Sequence, residues 1–153
     1  MLNAIRCGNI GFQTNFDKLV FEIEFLVVEE RWEQLSNMSD YNYESIRTCI
    51  LEWYKIIVIK YPESNIVISK NCENALIIDF DFEHCLAQLS VTKSENVPFQ
   101  FIHFEAADLA ASNYQEAGPI YYFCDDQTMK KADVITALDK AIQFCSNFKS
   151  FPK

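Results

Sequence analysis

The sequence holds only three glycines, Gly8, Gly11 and Gly118, and none is spaced as a dinucleotide or P-loop phosphate cradle requires. Nucleotide-dependent chemistry is therefore not expected. There are two histidines, His84 and His103, and neither belongs to an HExxH or a two-Cys-two-His arrangement, so the usual zinc sites are missing as well. The longest apolar runs, in "EFLVVE" and "KIIVI", fall far short of the ~20 residues that span a bilayer. Basic residues are scarce too. Thirteen Lys and Arg against 22 Asp and Glu give a net charge of −9, which repels phosphate backbones and anionic lipid. Neither nucleic acid nor a membrane is an expected partner, and a cationic one is. The charge is uneven: residues 126–153 carry +2, leaving −11 on residues 1–125.

Six cysteines, Cys7, Cys49, Cys72, Cys85, Cys124 and Cys145, are spread without a CxxC pair or the clustering of a disulfide scaffold. The opening "MLNAIRCGNIGFQ" lacks the basic region and continuous apolar run of a signal peptide. Reduced thiols in a cytoplasmic protein are the expectation.

Half the residues are apolar and 14% aromatic, ample material for a core without metal or disulfide support. At 153 residues, one domain spanning 1–153 is expected, with no low-complexity tract or Pro/Gly-rich linker to divide it. Residues 16–37, after Asn15 as a candidate cap, read in two ways. Phe21, Phe25, Val28, Trp32 and Leu35 follow helical spacing, whereas Phe21, Ile23, Phe25 and Val27 alternate as in a strand; the Glu- and Arg-rich continuation favours helix. Ile46, Cys49, Ile50, Trp53, Ile57 and Val58 form an apolar stripe, so a helix is expected over about 43–61, capped by Asp40 or Asn42 and stopped by Pro62. The period then changes to two in "NIVIS", "ALIIDFDF", "CLAQLSV", "FQFIHFE" and "IYYFCD", whose connectors are mostly too short for crossovers. A last helix begins near Asp125 or Asp126 and repeats apolar residues at Met129, Ala132, Ile135, Leu138, Ile142 and Cys145. The expected fold is α+β: a mostly antiparallel sheet of four to five strands with two N-terminal helices and one C-terminal helix.

The densest chemistry is "DFDFEH", Asp79 to His84. On a strand Asp79, Asp81 and Glu83 share one face, and Phe80, Phe82 and His84 share the other. The carboxylates then stand ~6.5–7 Å apart, too far for neighbouring pairs to chelate one small ion. A solvated strand face is the plain explanation, and a partner-facing acidic stripe is the functional one. No metal or cofactor is expected. Cys85 beside His84 suggests a thiol–imidazole pair only if the chain turns there, and His103 is a candidate partner for Cys85 or Cys124. A second acidic group, Glu22, Glu24, Glu29, Glu30 and Glu33, would spread over the solvent side of a helix.

The segment "CLAQLSVTKSENVPFQFIHFEAADLAASNYQEAGPIYYFCDDQTMKKADVITALDKAIQF", within residues 75–148, resembles the small immunity proteins of bacterial polymorphic-toxin and contact-dependent growth inhibition systems. The likeness lies in an alternating A-x-L-x-V strand, a second strand ending in acidic residues, a third ending in "DD", and a closing amphipathic helix. It implies a cytoplasmic, non-enzymatic protein that binds one cognate toxin with a basic surface, often a nuclease. Charge complementarity agrees, since a nuclease presents Lys and Arg to phosphate. The partner-binding residues expected on this reading are Asp79, Asp81, Glu83, Glu105, Asp125 and Asp126, with Tyr41, Tyr43, Tyr121 or Tyr122 as aromatic anchors. Two alternatives are a small enzyme using Cys85 or Cys124 with His103, and a phage or mobile-element interaction protein whose acidic face imitates nucleic acid.

Overall fold

The structure is a computed structural model that describes residues 41–94, 96 and 100–150. The expected element at 16–37 and the acidic group Glu22–Glu33 lie outside the described residues.

Helix α1 spans Tyr43–Lys60. Asn42 rather than Asp40 caps it: Ser45 N donates to Asn42 Oδ1 at 3.0 Å, and Asn42 N donates back to Ser45 Oγ at 3.5 Å. That reciprocal pair satisfies two backbone donors that the first turn would otherwise leave free. The run Ile56-Ile57-Val58-Ile59 is β-branched and a poor intrinsic helix former, yet the helix continues through it because Trp53, Ile56 and Ile57 are buried in the core. It ends at Lys60, ahead of Pro62.

Five strands follow: β1 Asn65–Cys72, β2 Ala75–Asp81, β3 Cys85–Thr92, β4 Ile102–Asp108 and β5 Tyr121–Cys124, with a short helix α2, Tyr114–Ala117, between the last two. They pair in sequence order, every neighbour antiparallel, as a five-stranded sheet. Gly118 follows α2 at φ +70°, a left-handed position that closes a helix most readily with glycine. Helix α3 covers Lys131–Asn147.

Alternation decides which face is inner. Leu76, Ile78 and Phe80 of β2, Ala87, Leu89 and Val91 of β3, and Ile102, Phe104 and Ala106 of β4 form one cluster with Ile46, Ile50, Trp53 and Ile57 of α1 and with Val134, Ile135, Leu138 and Ile142 of α3. Both long helices thus cover the same side of the sheet, in two layers. Aromatic packing ties the layers together: Trp53 lies 6.3 Å from Phe80, which meets Phe104 edge-on at 6.0 Å. The Trp53 indole N–H donates to Asp139 Oδ1 at 2.9 Å, joining α1 to α3.

Two local expectations are corrected. The last helix does not start at Asp125 or Asp126 but at Lys131, where Asp133 Oδ2 accepts from Lys130 N at 2.9 Å. Asp126 instead closes a turn, accepting from Thr128 N at 2.7 Å. The second correction concerns "DFDFEH". β2 stops at Asp81, and Phe82 N donates to Cys85 O at 3.0 Å across a two-residue turn at Glu83–His84. Inward positions run Phe80, Phe82 and then Cys85, Ala87, Leu89, so their parity changes and the chain must turn between them. Glu83 and His84 are therefore turn residues, 3.7 Å apart at Oε1 and Nε2, and His84 does not share a face with the two phenylalanines.

Candidate functional site

The sheet face turned away from α1 and α3 carries the side chains of opposite parity. Successive pairings align Val67, Asp79, Gln88, Glu105 and Tyr122 into one row across all five strands. Beside it on the Glu83 side run Asn65, Asp81, Leu86 and Ala107, and on the other side Ile77, Ser90, His103 and Cys124. Val67, Leu86 and Tyr122 are 43%, 46% and 58% exposed, large apolar surface left in solvent among carboxylates. Asn65, Asp79, Asp81, Gln88, His103 and Glu105 border a shallow depression of about 480 Å³ on this face.

The polar groups are interleaved. Gln88 separates Asp79 from Glu105 and donates from Nε2 to Asp79 Oδ1 at 2.8 Å, so two like charges do not sit directly opposite. Asp79 and Asp81 stand two residues apart on one strand face, ~6.5–7 Å along it. Glu105 Oε2 lies 3.5 Å from His103 Nε2. His103 meets Tyr122 edge-on with ring centroids 5.1 Å apart, and the Cys124 thiol donates to the Tyr122 hydroxyl at 3.0 Å.

Of the six residues expected to bind a partner, the face brings together Asp79, Asp81 and Glu105. Glu83 stands at the adjacent turn with its side chain 89% exposed. Asp126 lies beyond the far end of β5, exposed; hydrogen bonds from the Thr128 hydroxyl and then the Thr128 N–H hold its carboxyl below the usual carboxylate range. Asp125 does not belong to any exposed row. It is 2% exposed, with Oδ1 accepting from Phe101 N at 2.9 Å and Ile102 N at 2.7 Å and Oδ2 accepting from the Tyr41 hydroxyl. Burial, and then the hydrogen bond to Asp125, push the Tyr41 hydroxyl far above its ordinary pKa. This carboxylate clamps the start of β4, the end of β5 and the approach to α1 together.

Among the expected aromatic anchors only Tyr122 is exposed on the face. Tyr41 is committed to Asp125, Tyr43 is 4% exposed, and Tyr121 packs inward against Phe104 and Phe144. Val67, Leu86 and Gln88 were not singled out by sequence, although their parity with Asp79 and Asp81 on paired strands was a usable signal.

The thiols divide cleanly. Cys49, Cys85 and Cys145 are buried, Cys72 is exposed and Cys124 half-buried, all of them free. Cys85 donates to the Cys145 carbonyl at 3.5 Å and points into the core, so the turn beside His84 does not produce a surface thiol–imidazole pair. Cys124, by contrast, is the register partner of His103. Among the described residues no group of His, Cys, Asp and Glu is placed to hold a metal ion, and no helix is long and apolar enough to cross a membrane. No protein-family model, curated protein or solved structure matches the chain.

Proposed function

We propose that this protein is an immunity protein: a non-enzymatic, cytoplasmic binder that neutralises a cognate toxin, a nuclease, by seating the toxin's basic surface on the open face of its sheet. One observation carries the reading. Asp79, Asp81 and Glu105 stand on a single face interleaved with exposed Val67, Leu86 and Tyr122. Isolated carboxylates favour solvation, and isolated apolar groups favour burial. Their alternation over one surface suits a partner that offers Lys and Arg together with apolar area.

The division of labour follows. Asp79, Asp81 and Glu105, with Glu83 at the rim, attract a cationic surface and accelerate encounter, which is where long-range charge acts most strongly. Tyr122 and Leu86 supply the area that loses water on contact and holds the complex. Asp125 contributes indirectly by fixing the ends of β4 and β5, and Asp126 stands apart from the face. The resemblance over residues 75–148 supports this assignment, because the whole of the face except β1 falls inside it.

The test is co-expression with the product of the neighbouring reading frame. The account expects a stable complex, protection from toxicity, and loss of both when Asp79 and Glu105 are replaced together by lysine. Absence of complex and of protection with the native chain would refute it.

A further inference from the structure

Cys124 is the one described thiol that combines solvent access with a histidine as its register partner. Its register partner on β4 is His103, and directly opposed Cβ atoms on an antiparallel pair are ~4.5–5.5 Å apart. Glu105 stands beside His103, with Oε2 3.5 Å from Nε2, so one ring nitrogen faces a carboxylate and Nδ1 is the other that can take a proton. The ring is steadied edge-on by Tyr122. Tyr122 also meets the sulfur itself, at 3.0 Å. The phenol accepts from the thiol and can turn about its C–O bond to donate to a thiolate once the thiol has lost its hydrogen.

We propose that Cys124 is a modification site for small cationic disulfides, with His103 as proton acceptor and Glu105 as its positioning residue. His103 takes the thiol proton. The thiolate attacks one sulfur of the disulfide, the S–S bond breaks, and a mixed disulfide forms on Cys124. The departing thiolate leaves with the electron pair and recovers the proton, so the Cys124 sulfur is oxidised and the released half reduced. The disulfide is itself the oxidant. Its charge is set by the face: Asp79 and Glu105 concentrate cations and repel anions. The site goes beyond the binding role proposed above and does not depend on it, because its chemistry needs no protein partner.

The same molecule contains the reference. Cys72, at the end of β1, is exposed and has no histidine opposite, since its register partner is Ala75. The full chain is treated with cystamine, a cationic disulfide, or with oxidised glutathione, an anionic one, and the modification rate of each cysteine is followed by peptide mass spectrometry across neutral pH. Cys124 is expected to react with cystamine about tenfold faster than Cys72, and to lose most of that advantage with oxidised glutathione. His103→Gln should slow Cys124 about tenfold while leaving Cys72 unchanged. Glu105→Gln should move the pH profile of Cys124 rather than abolish reaction. Both positions are on the solvent face, and continued protection of Cys49, Cys85 and Cys145 reports that the variants are folded. Equal rates at Cys124 and Cys72, or a rate ratio unchanged by His103→Gln, would overturn the proposal.

Discussion

Replacing Asp125 with alanine removes three hydrogen bonds at once, and their worth can be set out from the geometry. Phe101 N and Ile102 N lose an acceptor at 2.9 and 2.7 Å, and the Tyr41 hydroxyl loses the third bond. A hydrogen bond to a charged group contributes about 1.5–3 kcal/mol, and a buried donor left without a partner costs about 1–3 kcal/mol. These overlap and are not additive, so about 3–5 kcal/mol is expected for Asp125→Ala. For a domain of this size each kcal/mol moves Tm by about 2–4 °C, so a fall of about 6–20 °C should accompany it. Asp125→Asn keeps one accepting oxygen and should cost about 1–2 kcal/mol, and Tyr41→Phe, which removes only the hydroxyl, about the same. Urea unfolding of the three variants gives the ordering. Asp125→Ala within about 0.5 kcal/mol of the native chain would refute the view that this carboxylate is an internal clamp.

Three further outcomes follow from local contacts. Asn42→Ala removes the α1 cap and should cost about 0.5–2 kcal/mol in urea unfolding, with Asn42→Gly milder. Trp53→Phe keeps most of the buried ring but deletes the indole bond to Asp139, so about 1–2 kcal/mol should be lost, and Asp139→Ala should add little in its presence. Burial raises the Cys49 thiol from 9.0 to about 11, so above pH 9 the unfolded chain releases a proton that the folded chain retains. Stability from this group is therefore full below pH 9 and declines as pH rises towards 11; Cys49→Ala should flatten that limb of a Tm-against-pH curve.

The sheet and its flanking helices were legible in the sequence because their periods differ. Ile46, Ile50, Trp53 and Ile57 repeat as a helix, and Cys85, Ala87, Leu89 and Val91 as a strand, and both patterns report burial directly. Connectors too short for crossovers then required antiparallel neighbours, as found. The acidic face was half legible: Asp79 and Asp81 were grouped correctly by alternation, but the row Val67–Asp79–Gln88–Glu105–Tyr122 depends on registers that no single strand encodes. The turn at Glu83–His84 contains neither Gly nor Asn, so no turn chemistry marked it; only the parity change at Cys85 did. Asp125 was misread for a different reason. An aspartate at a strand end resembles an exposed helix cap, and its burial arises from Phe101, Ile102 and Tyr41, the last 84 positions away.

The central claim is that the open sheet face, and not acidity in general, receives a cationic partner. It is tested most directly by the association rate of the neighbouring gene product as a function of salt, for the native chain, for Asp79→Lys with Glu105→Lys, and for Asp126→Lys. The account predicts association that slows steeply with salt in the native chain, at least about a tenfold loss of rate at low salt with a flattened salt dependence in the double variant, and near-native behaviour for Asp126→Lys. A double variant that associates at the native rate with the native salt dependence would contradict it.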